Sequence, residues 1–303
     1  MAKEPKKFRS ALEYHGARLI VAVLSALPLS TAAWTGRRLG DLVRLLDGRH
    51  RRRALDQVKD RLGIEGGAAR DFVRRNFRHY GTNLAEFAHL GRMHADDIRR
   101  HVDFGDLEER IRGLLAEGRG LIFITSHFGN WEWSNALART LGVEGGSIAR
   151  PLDNVRVNEF VRGIRERNGL RILDKEGAIR KALRMLRNNQ IVGILIDQDA
   201  GRNGMMSPFL GKPASTITIP VELAIRAGSP MLAVGLRRGG SAAGRRFTVL
   251  TGPEVRRALP DADPAAETRR LLDTLNADLE GIIKQAPEQW FWIHRRWKSA
   301  GRE

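Results

Sequence analysis

The chain has 303 residues, 42% hydrophobic and 29% charged, which is enough to bury a sizeable core and too apolar for wholesale disorder. It contains no cysteine, which excludes disulfides, thiolate metal sites and a cysteine nucleophile. Its formal charge of +17 suits nucleic acid, anionic lipid or an acidic protein as partner; 43 of the 52 basic residues are Arg, a proportion that codon bias also produces.

Residues 1 to 53 carry 12 basic and 4 acidic residues, so +8 of the +17 lies in the first sixth of the chain. The same segment holds the longest apolar run, "LIVAVLSALPLSTAAW" from Leu19 to Trp34, interrupted by Pro28 and flanked by Arg18, Arg37 and Arg38. A comfortable membrane span needs about 20 apolar residues, so the run is short for one. Downstream of it the sequence stays basic and amphipathic, unlike the mature domain behind a cleaved signal peptide. A helix lying in the membrane interface is expected, with a buried N-terminal helix as the rival reading.

From 8 to 100, apolar residues recur at three- and four-residue steps, as in "GRRLGDLVRLLDG" and "ARDFVRRNFRHYGTNLAEFAHL", which predicts successive helices. Gly48 and the pair Gly66–Gly67 punctuate them. The period changes at 119. "GLIFITS" reads as a buried strand, "WEWSNALARTLG" as a helix, "EGGSIAR" as a strand and "NVRVNEFVRGIRERNGL" as a helix. "RIL", "IVGILID", "PMLAVGLRR" and "RRFTVLTG" come next as strands, with helices over "AIRKALRMLRNN" and 220–227. This alternation predicts an α/β fold, a mostly parallel central sheet flanked by helices, with a helical membrane-associating extension before it. Residues 1–100 would form the helical region, including the membrane-associating segment 19–34, and 101–303 the α/β domain.

In such sheets ligands gather at the carboxyl ends of strands, where both His127 and the acidic stretch Asp197-Gln198-Asp199 fall. Asn130 is a plausible N-cap for the helix after His127 and places Glu132 in its first turn. Glu132 is then expected to fold back and hold one imidazole nitrogen as N–H, leaving the other free to accept a proton. The plainer reading is a βα junction whose histidine bonds a backbone carbonyl. Ser126 is adjacent, but G-x-S-x-G is absent, so no nucleophile elbow is expected. A base without its own nucleophile suits direct attack by a substrate hydroxyl on an activated acyl group. No residue cluster has metal-ligand spacing and no Gly-rich loop suits a phosphate, so neither metal nor cofactor is expected.

"HFGNWE" resembles the H-x4-D/E motif of the glycerolipid and lysophospholipid acyltransferases, and more narrowly the late acyltransferases of lipid A biosynthesis. "ARPLDNVRVNEFVRGIRERNG" is similar to that family's R-P-x-x-N block, and "GILIDQDAGRNGMMSPFLGKPASTITIPVELA" to its D-x-D-x-G…PF-G-x-A-x-T block. "APEQWFWIHRRWK" is similar to its closing block, and "LEYHGARL" also fits, so the resemblance covers nearly the whole chain. It implies a glycerol-3-phosphate acyltransferase-like fold and transfer of a fatty acyl group from acyl carrier protein to a hydroxyl of a lipid A precursor. The partners implied are the carrier, the lipid acceptor and the membrane surface, at the cytoplasmic face of the inner membrane; nucleic acid is not among them. By the same resemblance His127, Glu132, Arg165 and Asp197 are catalytic. Arg150 and Asn154 fit the family's R-P-x-x-N block, and together with Asn130 and Asp199 they are expected to meet substrate. The family often has His where Gln198 stands, which weakens any role inherited by that position. Arg165 also reads as a solvated helix face, and Asp197 and Asp199 as turn caps before Gly201. The tryptophans of the closing block read as core, and His294 as hydrogen-bonded and not catalytic. A lysophospholipid, glycolipid or amino-acid lipid as acceptor is the alternative function, and a non-catalytic basic binding protein the remote one.

Overall fold

A computed structural model describes residues 4–300 except 168, 174–176, 242–243 and 260. The chain opens with helices α1 (Glu4–Ala26), α2 (Leu29–Leu46), α3 (Gly48–Leu62), α4 (Gly66–Leu90) and α5 (Ala95–His101). The apolar run from Leu19 does not form one helix. It breaks at Leu27–Pro28, because proline has no N–H to donate and disfavours helical backbone in the residue before it. Among the described residues no helix is long and apolar enough to cross a membrane. Asp47 caps α3 by accepting the N–H of His50 at 3.1 Å, and Gly63 ends it in the left-handed conformation, φ 65°.

Helices α2 and α4 cross in backbone contact. A Cβ on Gly81 would lie 1.9 Å from the carbonyl oxygen of Gly36, and one on Gly40 would lie 2.3 Å from that of Phe77. The G-x3-G spacing of Gly36 and Gly40 places both on the buried face of α2 with Ala32 and Ala33. Any side chain at these positions would force the helices apart.

The α/β part runs β1 (Val102–Asp103), α6 (Leu107–Leu115), β2 (Leu121–Thr125), α7 (Trp131–Thr140), β3 (Gly145–Ile148), α8 (Val155–Arg167), β4 (Leu170–Leu173), α9 (Ala178–Arg187) and β5 (Ile191–Leu195). It continues through β6 (Met205–Phe209), β7 (Lys212–Thr216), α10 (Ile219–Ala227), β8 (Met231–Arg238), β9 (Phe247–Thr251) and α11 (Pro264–Lys284). Seven strands form one sheet in the order β1-β9-β8-β2-β5-β3-β4, parallel except for the β8/β9 pair. The expected α/β sheet is therefore present, with an antiparallel step near one edge.

Because successive strand residues point to opposite faces, β2 feeds two cores. Ile122 and Ile124 pack with residues of α9, α10 and α11, while Leu121 and Phe123 pack with α4, α6 and α7. β6 and β7 form a separate hairpin that periodicity did not predict. Its two-residue turn, Leu210–Gly211, has positive φ at both positions, 46° and 77°, the geometry that matches strand twist.

Candidate active site

β2 and β5 are parallel neighbours in a register that sets Thr125 opposite Leu195. Two residues beyond each strand end stand His127 and Asp197, so the same register brings them face to face. His127 Nδ1 lies 2.8 Å from Asp197 Oδ1, and the backbone N–H of His127 donates to Asp197 Oδ2 at 2.8 Å. The indole N–H of Trp290 donates to the same Oδ2, also at 2.8 Å. Burial alone would push the Asp197 carboxyl upward. The adjacent imidazole and these three hydrogen bonds outweigh it and hold the group below the usual carboxylate range. An ionised Asp197 places a proton on His127 Nδ1, which makes Nε2 the ring atom that can exchange one.

The imidazole sits in an aromatic box. Phe291 stacks on it at 5.6 Å between centroids and 27° between planes, and Trp131 lies at 5.3 Å. The Tyr80 hydroxyl donates to the His127 carbonyl at 3.0 Å. Gln198, the position that departs from the resembled pattern, places its amide nitrogen 3.4 Å from Nε2 on the open side.

Glu132 is not the partner of the imidazole. Arg165 takes it, donating from Nε to Oε2 at 2.8 Å and from Nη2 to Oε1 at 2.5 Å, and Trp131 Nε1 donates to Oε1 at 3.1 Å. The expected fold-back of Glu132 onto His127 is thus replaced by a carboxylate from the neighbouring strand, while Trp131 touches both the imidazole and Glu132. Arg165 is in turn no solvated face but half of a largely buried ion pair.

The residues expected to meet substrate divide. Asn130 caps α7, accepting the N–H of Trp133 at 3.2 Å and donating to Glu86 at 2.6 Å; at 0% exposure its amide is spent inside the protein. Asn154 accepts the N–H groups of Arg156 and Val157 at the start of α8 and donates to Ser10 and Glu13 of α1. Asp199 accepts from the backbone and hydroxyl of Ser299. Arg150 remains exposed, just past β3 on the same strand-end edge as His127. His294 accepts the Asp199 N–H at 3.1 Å, and burial lowers it to about 4, so it is neutral and hydrogen-bonded as expected.

Several residues of the site were not singled out from sequence. Helix α4 turns Asn76, His79, Asn83 and Glu86 inward at steps of three and four. His79 Nε2 and the Asn83 amide both bond the Gly129 carbonyl, at 2.9 and 2.7 Å, while the Gly129 N–H donates to the Gln289 carbonyl at 3.1 Å. Glu86, fully buried, receives Arg238, Arg246 and Asn130. The loop after β2 is therefore clamped from behind. Gly129 has φ +56°, and a Cβ there would lie 1.8 Å from the Leu236 carbonyl oxygen, so glycine is required. The inward polar phase on α4 was the one available signal, and it is indistinguishable in sequence from a wet helix edge.

The chain matches the family described as "Bacterial lipid A biosynthesis acyltransferase" across residues 2–299. The chain belongs to this family. It is similar to the "Lipid A biosynthesis lauroyltransferase" of Escherichia coli (strain K12), 28% identical over 234 residues, covering 76% of this chain and 72% of that protein. It is also similar to the "Lipid A biosynthesis palmitoleoyltransferase" of the same organism, 25% identical over 278 residues, covering 90% and 87%. The acyltransferase thus presents a carboxylate-held imidazole at the strand ends. The neighbouring Ser126 is 1% exposed and closed to a bulky acyl donor.

Proposed function

We propose that this acyltransferase moves a fatty acyl chain from acyl carrier protein to a hydroxyl of a lipid A precursor, working at the cytoplasmic face of the inner membrane. The observation that carries the reading is the His127–Asp197 pair, 2.8 Å apart, with Nε2 facing the open side. Nε2 takes the proton of the acceptor hydroxyl as its oxygen attacks the thioester carbonyl. Asp197 stabilises the imidazolium that forms, and collapse of the tetrahedral intermediate expels the carrier thiolate, which recovers the proton from Nε2. Ser126, the hydroxyl next to the base, is buried, and among the described residues no accessible nucleophilic side chain adjoins the imidazole, so transfer is direct.

Glu132 acts in this scheme through Arg165, fixing a guanidinium beside the site, and no longer as the orienting group of the base. The N-terminal basic charge and the exposed Leu19, Ile20, Val23 and Trp34 support contact with an anionic membrane. The test is a purified reaction of acyl carrier protein thioester with a lipid A precursor, read by mass spectrometry as one added acyl group. His127→Ala is expected to lower the rate by about 10²–10⁴-fold with an unchanged thermal midpoint. A variant retaining more than about a tenth of the parent rate would remove His127 from the base role.

A further inference from the structure

A concavity lies behind the loop that follows β2, at the seam of α2, α4 and β8. It has a volume of about 290 Å³ and is lined by Arg37, Arg75, Arg78, Arg238 and Arg246 together with Glu288. His127 is not part of it. His79 and Gln289, which also line it, are the groups that bond the Gly129 backbone on the other side.

The charges here do not cancel. Arg78 is paired with Asp41, and Arg238 and Arg246 share Glu86. Arg37 and Arg75 make no ion pair among the described residues, and Arg75 only lies over the Phe72 ring. Arg238 and Arg246 exceed Glu86 by one charge and Glu288 supplies one negative charge, so with Arg37 and Arg75 the lining keeps a surplus of two positive charges, which matches a dianion. A phosphomonoester carries close to two charges at neutral pH and offers three oxygens to the guanidinium fork, whereas a phosphodiester carries one charge.

The cleft also borders an apolar surface. At about 100° per residue, Trp34, Leu42 and Leu45 fall on a stripe within one quarter-turn of α2 with Arg38 among them, and all three apolar residues are exposed. Arg37 lies between that stripe and the buried Ala33, Gly36 and Gly40. Trp34 itself is 52% exposed with the Arg38 guanidinium 5.2 Å from its ring, the amphipathic pairing found at lipid–water boundaries. A cation cleft opening beside exposed tryptophan and leucine fits a ligand that is anionic at one end and apolar at the other.

We propose that this cleft binds the phosphomonoester headgroup of a membrane lipid, whose chains run along the exposed stripe of α2. The assignment is independent of which lipid accepts the acyl group.

The test is flotation of the full-length protein with phosphatidylcholine vesicles containing phosphatidic acid, a monoester, or phosphatidylglycerol, a diester, matched in surface charge. The parent is expected to prefer phosphatidic acid. The double variant Arg37→Gln/Arg75→Gln, with an unchanged thermal midpoint, is expected to lose that preference by about tenfold or more while still binding neutral vesicles through the apolar stripe. Removing three cations elsewhere, Arg180→Gln/Lys181→Gln/Arg184→Gln on α9, is expected to leave it intact. Equal binding of parent and double variant to phosphatidic acid overturns the proposal, as does an equal loss in the α9 variant, which would make the effect diffuse charge. If inorganic phosphate raises the parent's thermal midpoint through Arg37 and Arg75 while monoester vesicles are not preferred, the cleft takes a soluble phosphate and the lipid assignment fails.

Discussion

In the proposed reaction Asp197 holds the base, and after His127 itself Trp290 is one of the groups that keep this carboxylate charged. Phenylalanine at 290 retains the packing against Phe209 and Trp292 but deletes one of three donors to a fully buried carboxylate, a group whose loss of partner costs about 1–3 kcal/mol. Trp290→Phe should therefore move the acidic limb of the pH–rate profile to higher pH, because Asp197 is then protonated more readily. A lower thermal midpoint with an unmoved limb would reduce Trp290 to packing. Glu132 makes a different prediction. Glu132→Gln leaves Arg165 without its counter-charge in a largely buried position, so the variant should lose about 2 kcal/mol or more of stability, and adding Arg165→Met should restore much of it. Strictly additive losses in this double-mutant cycle would show that the pair is not coupled. His127 and Asp197 were both legible in the sequence because each ends an apolar strand. Their pairing with one another was not, since helix geometry offered the nearer carboxylate and only strand register could choose the farther one.

Among the elements, α4 does the most. One side meets α2 through glycine backbone, and the inward polar side holds the loop after β2 by way of His79 and Asn83. Gly81→Ala should cost well over the 1–3 kcal/mol typical of overpacking, since its Cβ would meet a carbonyl oxygen at 1.9 Å, and limited proteolysis should then cut α1 and α2 first. Gly163→Ala, inside α8 with nothing within 4 Å of its Cβ, should instead gain up to about 1 kcal/mol from helix propensity. A Gly81→Ala variant as stable as the parent would mean that α2 has room to shift. The element pattern itself was readable: the alternation of 2.0 and 3.6 periods after 119 predicts the sheet and its covering helices. The β6–β7 hairpin was not, because Pro208, Pro213 and the polar residues around them carry no clean period. Arg296 is 0% exposed and donates to the carbonyls of Gln198 and Ser215, and its burial shows only once the β6–β7 hairpin is in place.

At the scale of the whole molecule, the buried His79 and the half-buried His294 give stability a pH dependence of definite sign. His294 is lowered to about 4 from 6.5, first by burial, and His79 is held well below its ordinary value by burial and by Arg238. Between pH 6.5 and about 4 the unfolded chain therefore binds more protons at these sites than the folded one, so stability falls as pH is lowered through that window. Asp197, depressed in the folded state, adds a loss in the same direction at still lower pH. The thermal midpoint should decline from about pH 6.5 downward, and less steeply in His294→Gln, whose amide oxygen can still accept the Asp199 N–H. A midpoint that is flat or rises on acidification would contradict the assigned neutral states. The in-phase pairing of Thr125 with Leu195 carries one more consequence, in the time domain. His127 and Asp197 are separated by 70 residues of chain, and nothing short of docking β2 against β5 brings them within reach. Pairings of such sequence separation are slow relative to helix formation. In a refolding experiment the helical signal should therefore return before catalytic competence, and the rate at which activity reappears is a clock for closure of the central sheet.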